Sequence, residues 1–423
     1  MKKHMRYISF SVVLIFLISI SSCKSIGSSN TSKTIRGVIN IWCSEEYEAS
    51  MKFVAQSFKK VYPKTTINIK VIDGKDFNIE DKLQDEAHIF MIQDKDTPYY
   101  LKKYKDKLAD VTSIVNNHKN LFKKETLNNI SFNEKIYAVP IESNPYVMVY
   151  RKDIFSKYKI KIEDINTWDD YIDQYEKLKR DSKVSYSFLT GNPMDYYEML
   201  LNQLNKVLID SKDNMYISSS ESMKSINLIR ELRKRGILKD NKERFSLNSI
   251  KSGKVVSFIA NYKELKILEE KAPELKGKFK IAAMPSFEAG GNKFVCINGK
   301  NLIALDNNKY TNLINTFFEF LLDNEKLQLD LFTQYSIFPC NLNIQRSKAL
   351  LNPVEYFGAD KVWQFLSNVQ KQSFYNSYSA NYAYINSEFE KHIYDIMKEK
   401  KSLKENTSDV EKRLKEMIKN TGF

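Results

Sequence analysis

Two carboxylates, Glu45 and Glu46, stand side by side just after the apolar run 38–43. Paired carboxylates are the machinery of glycoside hydrolysis, which needs both groups flanking one bond. Neighbouring loop residues rarely face one pocket together, so Glu45 and Glu46 read as supplying one ligand-binding carboxylate. Gln93 and Asp94 form a second polar pair after the apolar stretch 88–92, and Asn261 and Tyr262 follow a third, 254–260. Other chemistries find no support. The sequence has no G-x-x-x-x-G-K-[ST] phosphate loop, no G-x-G-x-x-G, no H-E-x-x-H and no G-x-S-x-G. Of four histidines, His4 lies in the leader described below, and His88, His118 and His392 are scattered. No catalytic residue, metal site or cofactor is expected.

Polar pairs of this kind need strands that end beneath them. Residues 38–43 read as a buried strand with Ser44, Glu45 and Glu46 in the loop at its C-terminal end. Met51, Val54, Ala55, Phe58, Val61 and Tyr62 recur at helical spacing up to Pro63. The β-branched alternation of 66–72 gives a second strand, a short helix follows near Leu83, and 88–92 give a third strand. This β-α-β-α-β order predicts a parallel sheet covered by helices, with ligand groups at the carboxyl ends of its strands. Further on, 135–140 and 146–150 read as strands around the polar loop 142–145. Thr167 caps a helix with acids in its first turn, running to about Arg180. A strand at 185–189, a helix over 194–208 and strands at 254–260 and 279–284 follow, the last two separated by a helix over 262–271. From Tyr310 onward the chain reads as mostly helical. Trp42 lies within the first strand, while Trp168 and Trp363 read as packing residues.

The N-terminus carries Lys2, Lys3 and Arg6, then a 14-residue apolar run over 7–20, too short for a membrane span. A basic head, a short apolar middle and small residues before a cut site make a signal peptide over 1–22. Ile20-Ser21-Ser22-Cys23 resembles the bacterial lipobox, which implies lipidation of Cys23 and an anchor on the outer face of the cell membrane. The polar, Ser-rich stretch 23–35 reads as a flexible tether. The mature chain, 401 residues long, exceeds what one core usually fills, so two lobes are the default. Loss of three leader cations lowers the net charge from +14 to +11. On an exported protein such a surface argues against nucleic acid and leaves acidic ligands open. Cys43, Cys296 and Cys340 are odd in number and form no C-x-x-C, so neither a disulfide framework nor a zinc site is implied.

These features resemble the bacterial extracellular solute-binding proteins of family 1, lipid-anchored receptors that feed sugars to ABC importers. The likeness rests on GVINIWCSEEYEASMKFVAQSFKKVYP (37–63), EKIYAVP (134–140), VMVYRKDIFSKYKI (147–160) with TWDDY (167–171), MPSFEAGG (284–291) and LINTFFEFLLDNEKLQLDLF (313–332). The order and spacing of these segments carry it, not any one alone. Departures fall at Ser252-Gly253, at Ala260-Asn261-Tyr262 and at Tyr150-Arg151-Lys152-Asp153, and they bear on ligand identity rather than fold.

The resemblance implies an α/β, two-lobe, periplasmic-binding-protein-like (type II) fold that closes by hinge bending. Its lobes would be 36–140 with 286–338, and 141–285 with 339–423. The crossings would fall near Pro140, Met284-Pro285 and Phe338-Pro339. The implied activity is binding rather than catalysis, by a monomer with ABC-importer permease subunits as partners. A sugar needs carboxylates and amides for its hydroxyls and aromatic rings for its C–H faces. Strand-end loops offer Glu45, Glu46, Gln93 and Asp94 in the first lobe. The second offers Asn192, Asp195, Tyr196, Asn261 and Tyr262, and Asn144 lies at the first crossing. The resemblance places Tyr196, Tyr262 and Tyr382 where related receptors carry stacking aromatics. Gly290 and Gly291 would let backbone approach the ligand. Two alternatives stand beside this reading: the same fold binding a non-sugar, possibly anionic solute, and a surface glycoside hydrolase.

Overall fold

The computed structural model describes residues 35–72, 88–181, 187–189, 193–239, 246–306, 309–398 and 402–421. Cys23, Asn192 and the helix expected near Leu83 lie outside these residues. The strands in chain order are β1 (Gly37–Cys43), β2 (Thr65–Val71), β3 (Ile89–Gln93), β4 (Ser131–Phe132), β5 (Lys135–Ile136), β6 (Ala138–Glu142) and β7 (Pro145–Arg151). They continue as β8 (Ser187–Leu189), β9 (Leu238–Lys239), β10 (Val255–Ala260), β11 (Phe279–Ala282), β12 (Val295–Cys296) and β13 (Lys300–Ala304).

The first sheet has the order β2-β1-β3-β13-β6. β1 runs parallel to β2, with Ile39 opposite Ile67, and parallel to β3, with Ile41 opposite Ile89. Its other half is antiparallel, since β13 opposes both β3 and β6. Helix Glu48–Val61 turns Met51, Val54 and Phe58 onto this sheet and is itself buried along that stripe. Helix Thr311–Asp323 does the same with Leu313, Ile314, Phe317 and Phe318, joining one continuous core with Ile41, Trp42 and Phe90. Burial of such side chains stabilises by about 1.5–3 kcal/mol each, which is why the periodic runs of the sequence become these elements.

The second sheet follows the path β11-β7-β10-β8-β9, with β12 also paired to β7. Every residue of β7 is buried because both of its faces are covered. Tyr146, Met148 and Tyr150 enter one core, while Val147 and Val149 enter another with Phe258, Leu265 and Phe279. This period-two division is what a strand sandwiched between two layers requires.

Three passages join the sheets. The first is the short step from β6 to β7 through Ser143 and Asn144. The third is around Phe338, whose carbonyl accepts from the Ser143 amide at 2.9 Å, with Glu142 bridged to Pro339. The second corrects an expectation. It was expected at Met284-Pro285, but the chain leaves the second sheet only after Cys296. Trp168 donates its amide to Ser286 O at 2.9 Å and β12 pairs with Tyr146 and Pro145 of β7, so 286–296 stay with the second sheet. The passage is 297–299, held where Asn144 Nδ2 donates to Asn298 O at 2.7 Å.

Candidate functional site

The site is built where β3 stops. After Gln93 the chain turns through Asp94, Lys95 and Asp96 into helix Thr97–Tyr104, with Pro98 in its first turn. The turn is fastened by Lys95 N to Asp94 Oδ1 at 2.7 Å, Asp96 N to Gln93 O at 3.2 Å, and Thr97 Oγ1 to Gln93 O at 2.9 Å. Asn301 of β13 donates its amide to Thr97 Oγ1 at 2.9 Å, and Asp94 N donates to Gly299 O at 3.0 Å. Gly299 admits no side chain, because a Cβ there would lie 2.6 Å from the Glu142 carbonyl oxygen.

This turn holds Lys95 out from the first lobe. Its Nζ meets both oxygens of Glu198, at 3.2 and 3.4 Å. Glu198 belongs to helix Pro193–Gln203, which packs on the second sheet. Tyr382 donates its hydroxyl to Glu198 Oε1 at 2.7 Å, and the Lys95 ammonium lies 5.9 Å from the Tyr382 ring centre. Burial acts to lower the Lys95 pKa, but Glu198, Asp96 and Asp195 outweigh it and push it up to about 12. Burial lifts Asp94 to about 6 against the pull of Gly299 and Lys95, and holds Asp96 above the usual carboxylate range against Lys95 and Lys300.

Beside this bridge lies a cavity of about 330 Å³. One wall is Asp96, Tyr99 and Tyr100 from the turn and helix Thr97–Tyr104. The other is Ala380, Asn381, Ala383 and Tyr384, at the start of helix Tyr382–Lys398. Its size falls in the roughly 300–1,000 Å³ range of small-molecule sites. Tyr384 is 38% exposed, unusual for a large ring, whereas Tyr100 is buried. Rings on two sides and a carboxylate at the edge can stack on C–H faces and accept from hydroxyls.

A second polar cluster sits at the passages. Tyr47 donates to Glu142, Lys263 pairs with Glu46 at 2.5 Å, and the ammoniums of Lys263 and Lys300 lie 5.1 and 5.5 Å from the Tyr47 ring centre. Burial raises Glu142 to about 7, opposed by the Tyr47 hydrogen bond and by Lys300 and Lys263. The adjoining cavity, lined in part by Asp94, Asn144, Cys296 and Cys340, is only about 50 Å³.

The expected site residues separate accordingly. Asp94, Asp195 and Tyr382 gather at the Lys95 bridge, Asp195 close enough to raise the Lys95 pKa, but Tyr382 is buried and gives its hydroxyl to Glu198, so it is not the stacking ring expected of it. Gln93 ends β3 at its base. Glu45 is exposed, and Glu46 is engaged by Lys263. Five further expectations need correction. Tyr262 is 2% exposed, stacks on Phe332 with ring centres 4.7 Å apart, and donates its hydroxyl to Phe332 O at 2.6 Å. It is a core residue because Asn261 starts the helix at once. Asn261 accepts from Glu264 N while Glu264 accepts from Asn261 N, so its side chain is a cap rather than a ligand group. Tyr196 is buried in the core of the second lobe. Gly291 serves a tight local turn, donating its amide to Glu288 O at 2.9 Å, where a Cβ would crowd that oxygen at 3.0 Å. Asn144 lines the small cavity but gives its amide to the second passage.

Lys95, Asp96, Tyr99, Tyr384 and Glu198 were not foreseen. The first two directly follow Asp94, so their signal was the continuation of the polar turn up to Pro98.

Residues 44–327 match the family model described as bacterial extracellular solute-binding protein. The arabinooligosaccharide-binding protein of Bacillus subtilis (strain 168) is 20% identical over 264 residues, 61% of this chain and 60% of that relative's length. The lactose-binding protein of Rhizobium radiobacter is 21% identical over 348 residues, 78% of this chain and 81% of the relative. Among solved structures, the sugar-binding protein MalE from Xanthomonas citri superposes with a TM-score of 0.74 at 14% identity, covering 91% of this chain and 98% of that one. At that identity the likeness is one of fold, and it is the two-lobe fold expected from the sequence.

Proposed function

Since the chain belongs to the bacterial extracellular solute-binding proteins, we propose that it binds a sugar or oligosaccharide between its lobes and delivers it to an ABC importer without chemical change. The observation that carries this reading is the cavity walled by Tyr99, Tyr100 and Tyr384 with Asp96 at its edge, placed between the two lobes. The relatives named for arabinooligosaccharides and lactose support the carbohydrate class. Binding rather than hydrolysis fits Glu198, which is held by Lys95 and Tyr382 instead of being presented to a glycosidic bond. In this reading Cys23 is lipidated after loss of the leader, and the receptor stands on the outer face of the membrane beside its permease.

The test is thermal unfolding of the purified chain in mild detergent against neutral mono-, di- and trisaccharides, with each sugar recovered and analysed. A ligand at about 100 times its Kd adds about 2.7 kcal/mol, a shift of several degrees at this size. The expected result is a shift by at least one sugar, recovered intact. No shift by any sugar, or cleavage of the sugar, overturns the proposal.

A further inference from the structure

The chain is strongly cationic overall, yet the ground around its aromatic cavity is not. Asp96 stands in the cavity wall, next to the Lys95 turn. Asp94, Asp96, Asp195 and Glu198 all lie close enough to Lys95 or to one another to couple electrostatically. Among the described residues, the cations set against these four carboxylates are Lys95, paired with Glu198, and Lys300, which acts on Asp96. Lys103 donates to the Tyr99 hydroxyl at 3.0 Å with its ammonium 5.4 Å from that ring's centre, from an exposed position where solvent screens it. The protein itself shows that an ammonium is well held here. Lys95 keeps its charge at low exposure, between Glu198 and the face of Tyr382.

Resting on the sugar-binding reading above, we propose that this cavity selects neutral and amine-bearing sugars and rejects acidic ones. A sugar ammonium entering it would meet the Asp96 carboxylate in a wall that also carries Tyr99, Tyr100 and Tyr384, a setting of carboxylate and rings that attracts a cation. A uronate would bring its carboxylate toward Asp96 and into the same negative field, with no cation among the described residues of the wall to receive it. The positive surface of the chain therefore does not set its ligand's charge.

The experiment is calorimetric titration of the full chain, in mild detergent near pH 7, where a sugar amine still largely keeps its proton and Asp94, raised to about 6, is mostly ionised. Three disaccharides serve as probes: β-1,4-linked glucosamine, its N-acetylated neutral form, and digalacturonate. The amine is expected to bind at least about tenfold tighter than the uronate, since opposite and like charges at one carboxylate differ by more than that factor. This ratio should shrink as salt is raised and should shrink in Asp96→Asn. A uronate that binds as tightly as the amine, or a ratio unchanged by Asp96→Asn, overturns the inference and leaves the sugar reading intact. If none of the three binds and neutral sugars in the broader panel fail too, the sugar reading itself falls and this inference with it.

Discussion

Lys95 and Glu198 are 103 residues apart in the chain and 3.2 Å apart in space. One hangs from the end of the first sheet and the other from a helix on the second, so the ion pair ties the lobes together across the cleft. With side-chain exposures of 16% and 7%, the pair is not a screened surface contact.

Replacing Lys95 with Met leaves Glu198 buried against the Tyr382 hydroxyl without its ion-pair partner. The expected cost is about 1–3 kcal/mol, that of an incompletely satisfied buried polar group. Urea unfolding measures it. The lobes should also part more readily, seen as a larger radius of gyration in X-ray scattering without ligand. Unchanged stability and radius would show that the bridge does not hold the lobes.

Glu142 makes stability depend on pH. Its pKa rises from 4.5 in the unfolded chain to about 7 in the folded one, because burial disfavours the charge. The folded state therefore keeps a proton that the unfolded state loses. Its stability falls relative to the unfolded state as pH climbs from about 4.5 to about 7, then levels off. Glu142→Gln removes this dependence and can still accept from Tyr47. The midpoint of the variant relative to wild type should thus be higher at pH 8 than at pH 5. A difference that does not change between those pH values would refute the assignment.

Gly299 is fixed by close approach. Any Cβ would lie 2.6 Å from the Glu142 carbonyl oxygen, on backbone that cannot rotate away. Gly299→Ala should destabilise by about 1–3 kcal/mol, the usual range for forced overpacking. It should also weaken ligand binding, since the same residue receives the Asp94 amide. A variant as stable as wild type in guanidinium would contradict this account of the passage.

Tyr262 and Tyr384 should behave oppositely. Truncating Tyr262 empties a ring-sized space against Phe332, Phe338 and Trp363 and should cost about 3–5 kcal/mol. Tyr384→Ala removes a ring that is 38% exposed and should leave the melting midpoint nearly unchanged. Melting curves of the two variants, compared side by side, decide between core and cavity roles.

Much of the fold could be read from residue types. The helical stripe Met51, Val54, Phe58 and the strands at 38–43, 66–72, 88–92 and 254–260 have one periodicity each and form with ends shifted by a residue or two. β13 could not be read. Lys300–Ala304 is five residues long, and what makes it a strand is the open edges of β3 and β6, which come from distant parts of the chain. That omission also misplaced the second passage. The helix expected to run to Leu208 stops at Gln203, whose amide is drawn to Pro285 O at 2.8 Å.

The site was legible at its base and not at its walls. Asp94 and Asp195 followed from strand ends and loops, but the direction of a side chain at a helix start depends on the cap. Asn261 and Glu264 close a capping box that turns Tyr262 inward. Conversely, Tyr384 is exposed only because helix Tyr382–Lys398 begins opposite Tyr99 and Tyr100, a juxtaposition of segments nearly 300 residues apart.

In the proposed function the sugar sits in the cavity between Asp96 and Tyr384. Calorimetric titration of a sugar that shifts the melting midpoint, into wild type and into Tyr384→Ala, tests it most directly. Saturable binding to wild type is expected, with affinity about tenfold lower in the variant, the loss expected of one stacked ring. Equal affinity in the two proteins would place the ligand elsewhere and contradict it.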